Sequence, residues 1–246
     1  MILLMSGDVR IAWGVTGSGT YLRETFDVML SLKEKYNVKI TTFLSEAAEE
    51  VIRIYGLSDL LSKISPGGYY EEVITTSNTG KSCVHSGRFN RGQYKLLIVS
   101  PATSNTVAKI VYGIADTIVT TIVSQALKGG TPVIILPSDL STETTIPCRI
   151  DRDKCNACMV CIDGCPYKAI DVVEGKPRIN LLVCRGCMKC VTICSEGAIK
   201  CWERISIKVR RLDLENISKL REIEGIHVIS NPREIISKFI ALILHD

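Results

Sequence analysis

The sequence predicts an α/β fold: a parallel sheet flanked by helices, with a small α+β module inserted before the last strand and helix. Two observations predict it. From residue 9 to residue 137, short β-branched apolar runs alternate with helical patterns. That rhythm implies βαβ units, because parallel strands need a crossover between them. The rhythm then stops at a cysteine-dense stretch, Cys155 to Cys194, and resumes with one more strand and helix. A chain of 246 residues can bury one large core or two smaller ones.

The bulk composition excludes several classes. A formal charge of +4, with no block of Lys and Arg, gives no nucleic-acid footprint. Asp8 and Arg10 interrupt the apolar start, so no secretory leader is expected. The longest apolar candidate, Ile118 to Leu127, is too short for a membrane span and is threaded with Thr, Ser and Gln. The expectation is a soluble, cytoplasmic protein.

Val9 to Val15 reads as the first strand. It runs into Gly14-Val-Thr-Gly17-Ser18-Gly19 and then a helical pattern from Tyr21 to about Lys35. Strand, glycine turn and helix form a phosphate-binding shape, in which free amides and the helix dipole hold an anion. The turn lacks the P-loop Lys and the G-x-G-x-x-G spacing, so a plain strand–helix connection explains it as well. Val38 to Leu44 is the second strand. Ser45 follows as a helix cap before Ala47 to Tyr55, at a strand end where α/β proteins place ligands. Ser77 to Arg91 reads as a long polar loop, whose Lys81, Arg88 and Arg91 could meet an anion and whose His85 could serve as acid or base. Leu96 to Val99 is a central strand, continuing into Ser100-Pro101-Ala102-Thr103-Ser104-Asn105-Thr106 and a helix through Ala108 to Ile114. Ile118 to Leu127 is a further helix and Pro132 to Leu136 a further strand.

The cysteine stretch holds two copies of C-x2-C-x2-C-x3-C: Cys155, Cys158, Cys161, Cys165, then Cys184, Cys187, Cys190, Cys194. This is the bacterial ferredoxin run for two [4Fe–4S] clusters, in which the fourth cysteine of each copy ligates the other cluster. The expected sets are Cys155, Cys158, Cys161 with Cys194, and Cys184, Cys187, Cys190 with Cys165. The repeat continues beyond the ligands, since Ala169-Ile170 matches Ala198-Ile199. Structural zinc favours paired C-x2-C, and a disulfide framework needs an oxidising compartment. The triplet-plus-one spacing favours clusters over both. Cys83, Cys148 and Cys201 are spare and read as free buried cysteines.

Pro101-Ala-Thr-Ser-Asn105-Thr-Val-Ala-Lys109 with Gly113-Ile-Ala-Asp116 resembles the P-A-S/T-x-N-T motif of the homo-oligomeric flavin-containing cysteine decarboxylase superfamily. Trp13-Gly-Val-Thr-Gly17-Ser18-Gly19 is similar to that superfamily's first FMN-phosphate turn. The resemblance covers roughly residues 9 to 137. It implies a Rossmann-like flavoprotein subunit that binds FMN where subunits of a trimer meet. Gly17, Ser18, Gly19 and Ser45 would lie on the phosphate side, and Pro101, Ala102, Thr103, Ser104 and Asn105 near the flavin. Two departures argue against decarboxylation. Leu136-Pro137-Ser138-Asp139-Leu140-Ser141 stands where the family has its substrate clamp, and His85 is displaced from the family's catalytic His.

The Trp-Gly-x-Thr-Gly opening and Ser86-Gly-Arg88-Phe resemble a narrower subgroup, archaeal iron–sulfur flavoproteins of the dihydromethanopterin reductase (acceptor) type. That resemblance implies a ferredoxin-like electron donor, a pterin substrate, and a homo-oligomer of trimers forming a cage. Ile205 to Leu212 is then a strand-like stretch, followed by a helix to Arg221. Gly225 to Pro232 and Arg233 to Leu244 give the last strand and helix of the flavin domain. The expected division is a flavoprotein domain over 1–150, a ferredoxin module over 151–203 and a return segment over 204–246, with Asp139 to Pro147 as the inbound linker. Clusters move single electrons and a flavin collects two. The leading expectation is therefore an oxidoreductase that passes electrons through two [4Fe–4S] clusters to FMN and on to dihydromethanopterin. The alternatives are an electron-transfer module without its own substrate and a flavin-dependent decarboxylase.

Overall fold

The structure, a computed structural model, describes residues 9–80 and 82–244. Asp8, one of the two charges that interrupt the apolar start, and Lys81 lie outside the described residues. In chain order the first half comprises β1 (Arg10–Val15), α1 (Leu22–Tyr36), β2 (Lys39–Leu44), α2 (Glu46–Ile54), α3 (Ser58–Ile64), β3 (Val73–Ile74), α4 (Thr76–Thr79), α5 (Gly87–Asn90), β4 (Leu96–Ala102), α6 (Ser104–Val111), α7 (Ile118–Lys128) and β5 (Val133–Pro137). The inserted part holds β6 (Glu143–Thr145), β7 (Arg149–Ile150), α8 (Val160–Asp163), β8 (Ile170–Val173), β9 (Lys176–Ile179), α9 (Lys189–Ile193), β10 (Ile199–Lys200) and β11 (Arg204–Ser206). The chain closes with α10 (Arg211–Arg221), β12 (Ile226–Val228) and α11 (Glu234–Phe239).

The main sheet has six strands in the order β12-β5-β4-β1-β2-β3, all paired in parallel. The chain starts at the centre, winds outward through β2 and β3, then returns to β4 and winds the other way. The direction reverses between β1 and β4, which opens a crevice at the carboxyl ends of those strands. Strand β1 is buried on both faces. Ile11, Trp13 and Val15 join a core with α1 and Phe239, while Ala12 joins a second core with Val107, Val119, Ile122 and Leu220. Two-sided burial is why these strands read as continuous apolar runs. The Trp13 indole N–H donates to Ser100 O at 2.9 Å, and its ring meets Phe26 edge-on.

The insertion leaves after β5 and the chain rejoins the sheet at β12, beside β5. Its stem is an antiparallel ribbon, β6 with β11 and β7 with β10. Between these two pairings Cys148 and Cys201 form a disulfide, which corrects their reading as free cysteines. The ribbon register places them opposite one another, a relation that linear spacing hides. Beyond the stem, the β8–β9 hairpin packs with α8 and α9 around Cys161, Ile170 and Ile199.

Two further expectations change. Ser77 to Arg91 is not an open loop: it is built of α4, a 3-10 turn at Val84–Ser86, and α5. The Thr75–Asn78 capping box starts it, and Arg88 anchors it from inside, donating to both Glu72 carboxylate oxygens and to Tyr94 Oη at 2.8–3.1 Å. Arg88 is therefore engaged rather than free for a substrate anion, while Arg91 is exposed. The strand-like stretch after Cys201 pairs only over Arg204–Ser206. Leu212 lies on α10, whose first turn is fixed by Arg210 donating to the Asp213 carboxylate at 2.8 Å. Among the described residues no helix is long and apolar enough to cross a membrane.

Candidate cofactor sites

A cavity of about 460 Å³ opens at the carboxyl ends of β1, β2 and β4. Gly17, Ser45, Ala47, Thr103, Asn105 and Thr117 line it. Three helices start there, each capped by a hydroxyl. Ser45 accepts from Ala48 N at 3.2 Å, Thr103 from Thr106 N at 3.4 Å, and Thr117 from Thr120 N at 3.2 Å. Three helix N-termini concentrate partial positive charge and free amides, the environment an anion prefers. Among the described residues lining the cavity none is Lys or Arg. Of its carboxylates, Asp116 is held below the usual range by hydrogen bonds from Lys109 Nζ at 2.8 Å.

Thr16 ties the crevice together. Its hydroxyl donates to Pro101 O at 2.8 Å and accepts from Thr103 N at 2.9 Å, and its own amide donates to Pro101 O at 3.3 Å. The turns after β1 and β4 are thus one unit. Gly17 is required by close approach: a Cβ there would sit 2.4 Å from Ala47 Cβ. This volume, cradle and set of amide donors fit a phosphate-bearing flavin.

Of the nine residues expected around a flavin, Gly17, Ser45, Thr103 and Asn105 line this cavity. Ser104 opens α6 beside them, and Pro101 and Ala102 are buried at the end of β4. Ser18 Oγ accepts from Thr20 N at 3.2 Å. Gly19 faces elsewhere: a Cβ would meet Tyr55 Oη at 2.1 Å, and the residue lines a second cavity of about 580 Å³ between α1 and the stem. Sequence reasoning missed Thr16, Ala47 and Thr117. Their signal was position, since each directly follows a strand or precedes or opens a helix. His85 lies outside the cavity, its Nδ1 within 2.9 Å of Thr79 Oγ1, and burial first, then Arg88, lowers its pKa.

The cysteines fall into two separate hollows. Cys155, Cys158, Cys161 and Cys194 line one, and Cys165, Cys184, Cys187 and Cys190 line the other. The backbone curls identically around both. Ala157 and Met159 flank Cys158 at φ of 60° and 64°, and Gly186 and Met188 flank Cys187 at 60° and 60°. Burial, then the neighbouring Cys184, Cys187 and Cys165, pushes the Cys190 thiol up to about 11. Burial also raises Cys161. Sulfurs that repel one another as thiolates are a donor set suited to a cationic iron centre.

A doubly wound sheet with an anion-accepting crevice, carrying two four-cysteine hollows on an insertion, defines an iron–sulfur flavoprotein. The chain belongs to the Flavoprotein family, whose model matches residues 3–149; a 4Fe-4S dicluster domain matches residues 147–195. It is 42% identical to a dihydromethanopterin reductase (acceptor) of Methanosarcina mazei, over 94% of this chain and 98% of that one. It is 43% identical to a protein of the same name from Methanocaldococcus jannaschii, over 94% and 96%. The crystal structure of Burkholderia xenovorans DmrB in complex with FMN, described as a cubic protein cage for redox transfer, superimposes with a TM-score of 0.61. It shares 25% identity and covers 95% of this chain and 94% of that one.

Proposed function

We infer that this chain is a cytoplasmic oxidoreductase that takes single electrons from a ferredoxin-like donor, passes them through two [4Fe–4S] clusters to FMN, and reduces dihydromethanopterin to tetrahydromethanopterin. The observation that carries this reading is the presence, on one chain, of two four-cysteine hollows and an anion-accepting crevice at the sheet's reversal point. One-electron carriers joined to a flavin convert single electrons into pairs, which a pterin double bond requires. The near-full-length likeness to two dihydromethanopterin reductases supports the substrate. In this reading residues 1–150 and 204–246 form the flavin unit and 151–203 the electron carrier.

Gly17 and the amides that open α2 and α6 hold the phosphate, and Ser45 and Thr103 keep those amides in place. Pro101 to Asn105 border the flavin, with Ser18 and Gly19 shaping the turn. Cys155, Cys158, Cys161 and Cys194 ligate one cluster, and Cys165, Cys184, Cys187 and Cys190 the other. FMN supplies hydride chemistry when bound. The protomers assemble as trimers, as the family resemblance implies, and into a cage, which the DmrB description supports.

The test is anaerobic reduction of the reconstituted protein by reduced ferredoxin, followed by addition of dihydromethanopterin. Reoxidation of the flavin with stoichiometric tetrahydromethanopterin is expected. A flavin that stays reduced with the pterin overturns the substrate and leaves an electron carrier.

A further inference from the structure

We propose that the two cysteine hollows are not equivalent. The one lined by Cys165, Cys184, Cys187 and Cys190 is the inner electron station. It delivers electrons to the flavoprotein unit across a contact made by Gly186, Met188, Trp202 and Tyr55. The hollow of Cys155, Cys158, Cys161 and Cys194 is the outer station, where the donor delivers them. This rests on the iron–sulfur flavoprotein reading above.

The module's two halves repeat in sequence and backbone, so by itself it has no inner and outer side. Docking breaks the symmetry. A Cβ on Gly186, beside Cys187, would lie 2.6 Å from Ile54 O and 2.8 Å from Gly56 N. Reciprocally, a Cβ on Gly56 would lie 3.1 Å from Gly186 O. Main chain meets main chain where α2 ends. The equivalent residue in the other copy is Ala157, at the same φ of 60°. That left-handed conformation therefore does not by itself demand glycine here. The demand comes from the approach to Ile54 and Gly56, and only the second copy meets it.

The neighbouring contacts agree. The Trp202 indole N–H donates to Met188 Sδ at 3.2 Å, and the Trp202 ring stacks on Tyr55 with centroids 4.8 Å apart. Arg23 holds the pair from the flavoprotein side, donating to Tyr55 O at 2.7 Å with its guanidinium 5.5 Å from the Trp202 ring. The Tyr55 hydroxyl donates to Thr145 O on the stem. Leu181 and Trp202 also pack against the core that contains β1. Both hollows are lined from within the module and its stem, Ile150 to Ile199 for one and Cys148 to Cys190 for the other, so the asymmetry lies in what Gly186, Met188 and Trp202 meet outside them. From Gly56, α2 leads back along about 13 Å of helix to Ser45 at the flavin cavity. One electron crosses at a time: a one-electron iron–sulfur donor reduces the outer cluster, which reduces the inner one. Two such crossings supply the pair.

The experiment uses the full-length protein loaded with iron, sulfide and FMN. Cys158→Ser and Cys187→Ser assign which EPR signal belongs to which cluster. Trp202→Leu is expected to shift the signal missing from Cys187→Ser and leave the other unchanged. It should also slow ferredoxin-driven flavin bleaching about tenfold or more, with cluster reduction unaltered, and Trp202→Phe should restore both. If either cysteine variant fails to load, Trp202→Leu is compared with Trp202→Phe on the two-cluster protein, where one signal alone should move. A shift of the signal missing from Cys158→Ser, equal shifts of both, or no shift with an unchanged bleaching rate overturns the proposal. None of these readings needs a pterin. Failure of pterin turnover with the expected EPR pattern removes the substrate and keeps the electron order. Pterin turnover indifferent to Trp202 does the reverse.

Discussion

Thr16 is the residue on which the crevice at the ends of β1 and β4 closes, because one hydroxyl reaches both the Pro101 carbonyl and the Thr103 amide. Thr16→Val keeps the shape, orphans the Thr103 amide and leaves the Pro101 carbonyl with the Thr16 amide alone. It should cost about 1–3 kcal/mol in urea denaturation and weaken FMN binding measured by fluorescence quenching. Asn105 is exposed at the same crevice, so Asn105→Ala should weaken FMN binding on the order of tenfold, equivalent to ~1.4 kcal/mol, with the urea midpoint unchanged. The sequence made Ser45 legible as a cap, because a small hydroxyl residue between a β-branched run and a helical pattern has few other uses. It did not make Thr16 legible. Nothing in Gly14-Val-Thr-Gly17 says that the threonine reaches a strand 85 residues away.

At the scale of elements, the segment from Ser77 to Arg91 is organised by one ion pair. Arg88 has a side chain 8% exposed, and its partner Glu72 precedes β3. Burial tends to raise the Glu72 carboxyl, but hydrogen bonds and charge from Arg88 outweigh it and hold the pKa below the ordinary value. The folded state thus favours the ionised form. Its contribution is full above the unfolded pKa of about 4.3 and is lost as pH falls through the lowered folded value. Glu72→Gln should cost about 2–3 kcal/mol near neutral pH, and the stability difference from wild type should shrink on acidification, read by denaturation at successive pH values. Composition suggested a solvated loop here, since Ser, Gly, Asn, Arg and Lys make up most of it. The anchor was invisible because its acidic partner lies outside the segment.

For the whole molecule, the unequal sizes of the two parts set their stabilities. The sheet has two extensive cores, whereas the inserted module has a buried apolar core of Cys161, Ile170 and Ile199. A core that small needs its metal. Removing the clusters with a chelator should abolish amide protection across 155–194 in hydrogen exchange while β1, β4 and β5 stay protected. Loss of protection in both parts together would show that the cores are coupled through the stem. The division itself was legible, because a period of two and 3.6 gives way to cysteine spacing and then returns.

The sequence by itself determined the parallel α/β architecture, the two cluster-binding motifs and the glycine turn, since each depends on neighbours a few residues apart. It also placed the final strand with the flavin unit. Only the tertiary structure decided that Cys148 faces Cys201, that Arg88 is spent inside the fold, and that Gly186 in one copy of a near-symmetrical module meets the end of α2. Those are relations between residues distant in the chain. They follow from where strand register and main-chain approach bring surfaces together, which no local pattern records.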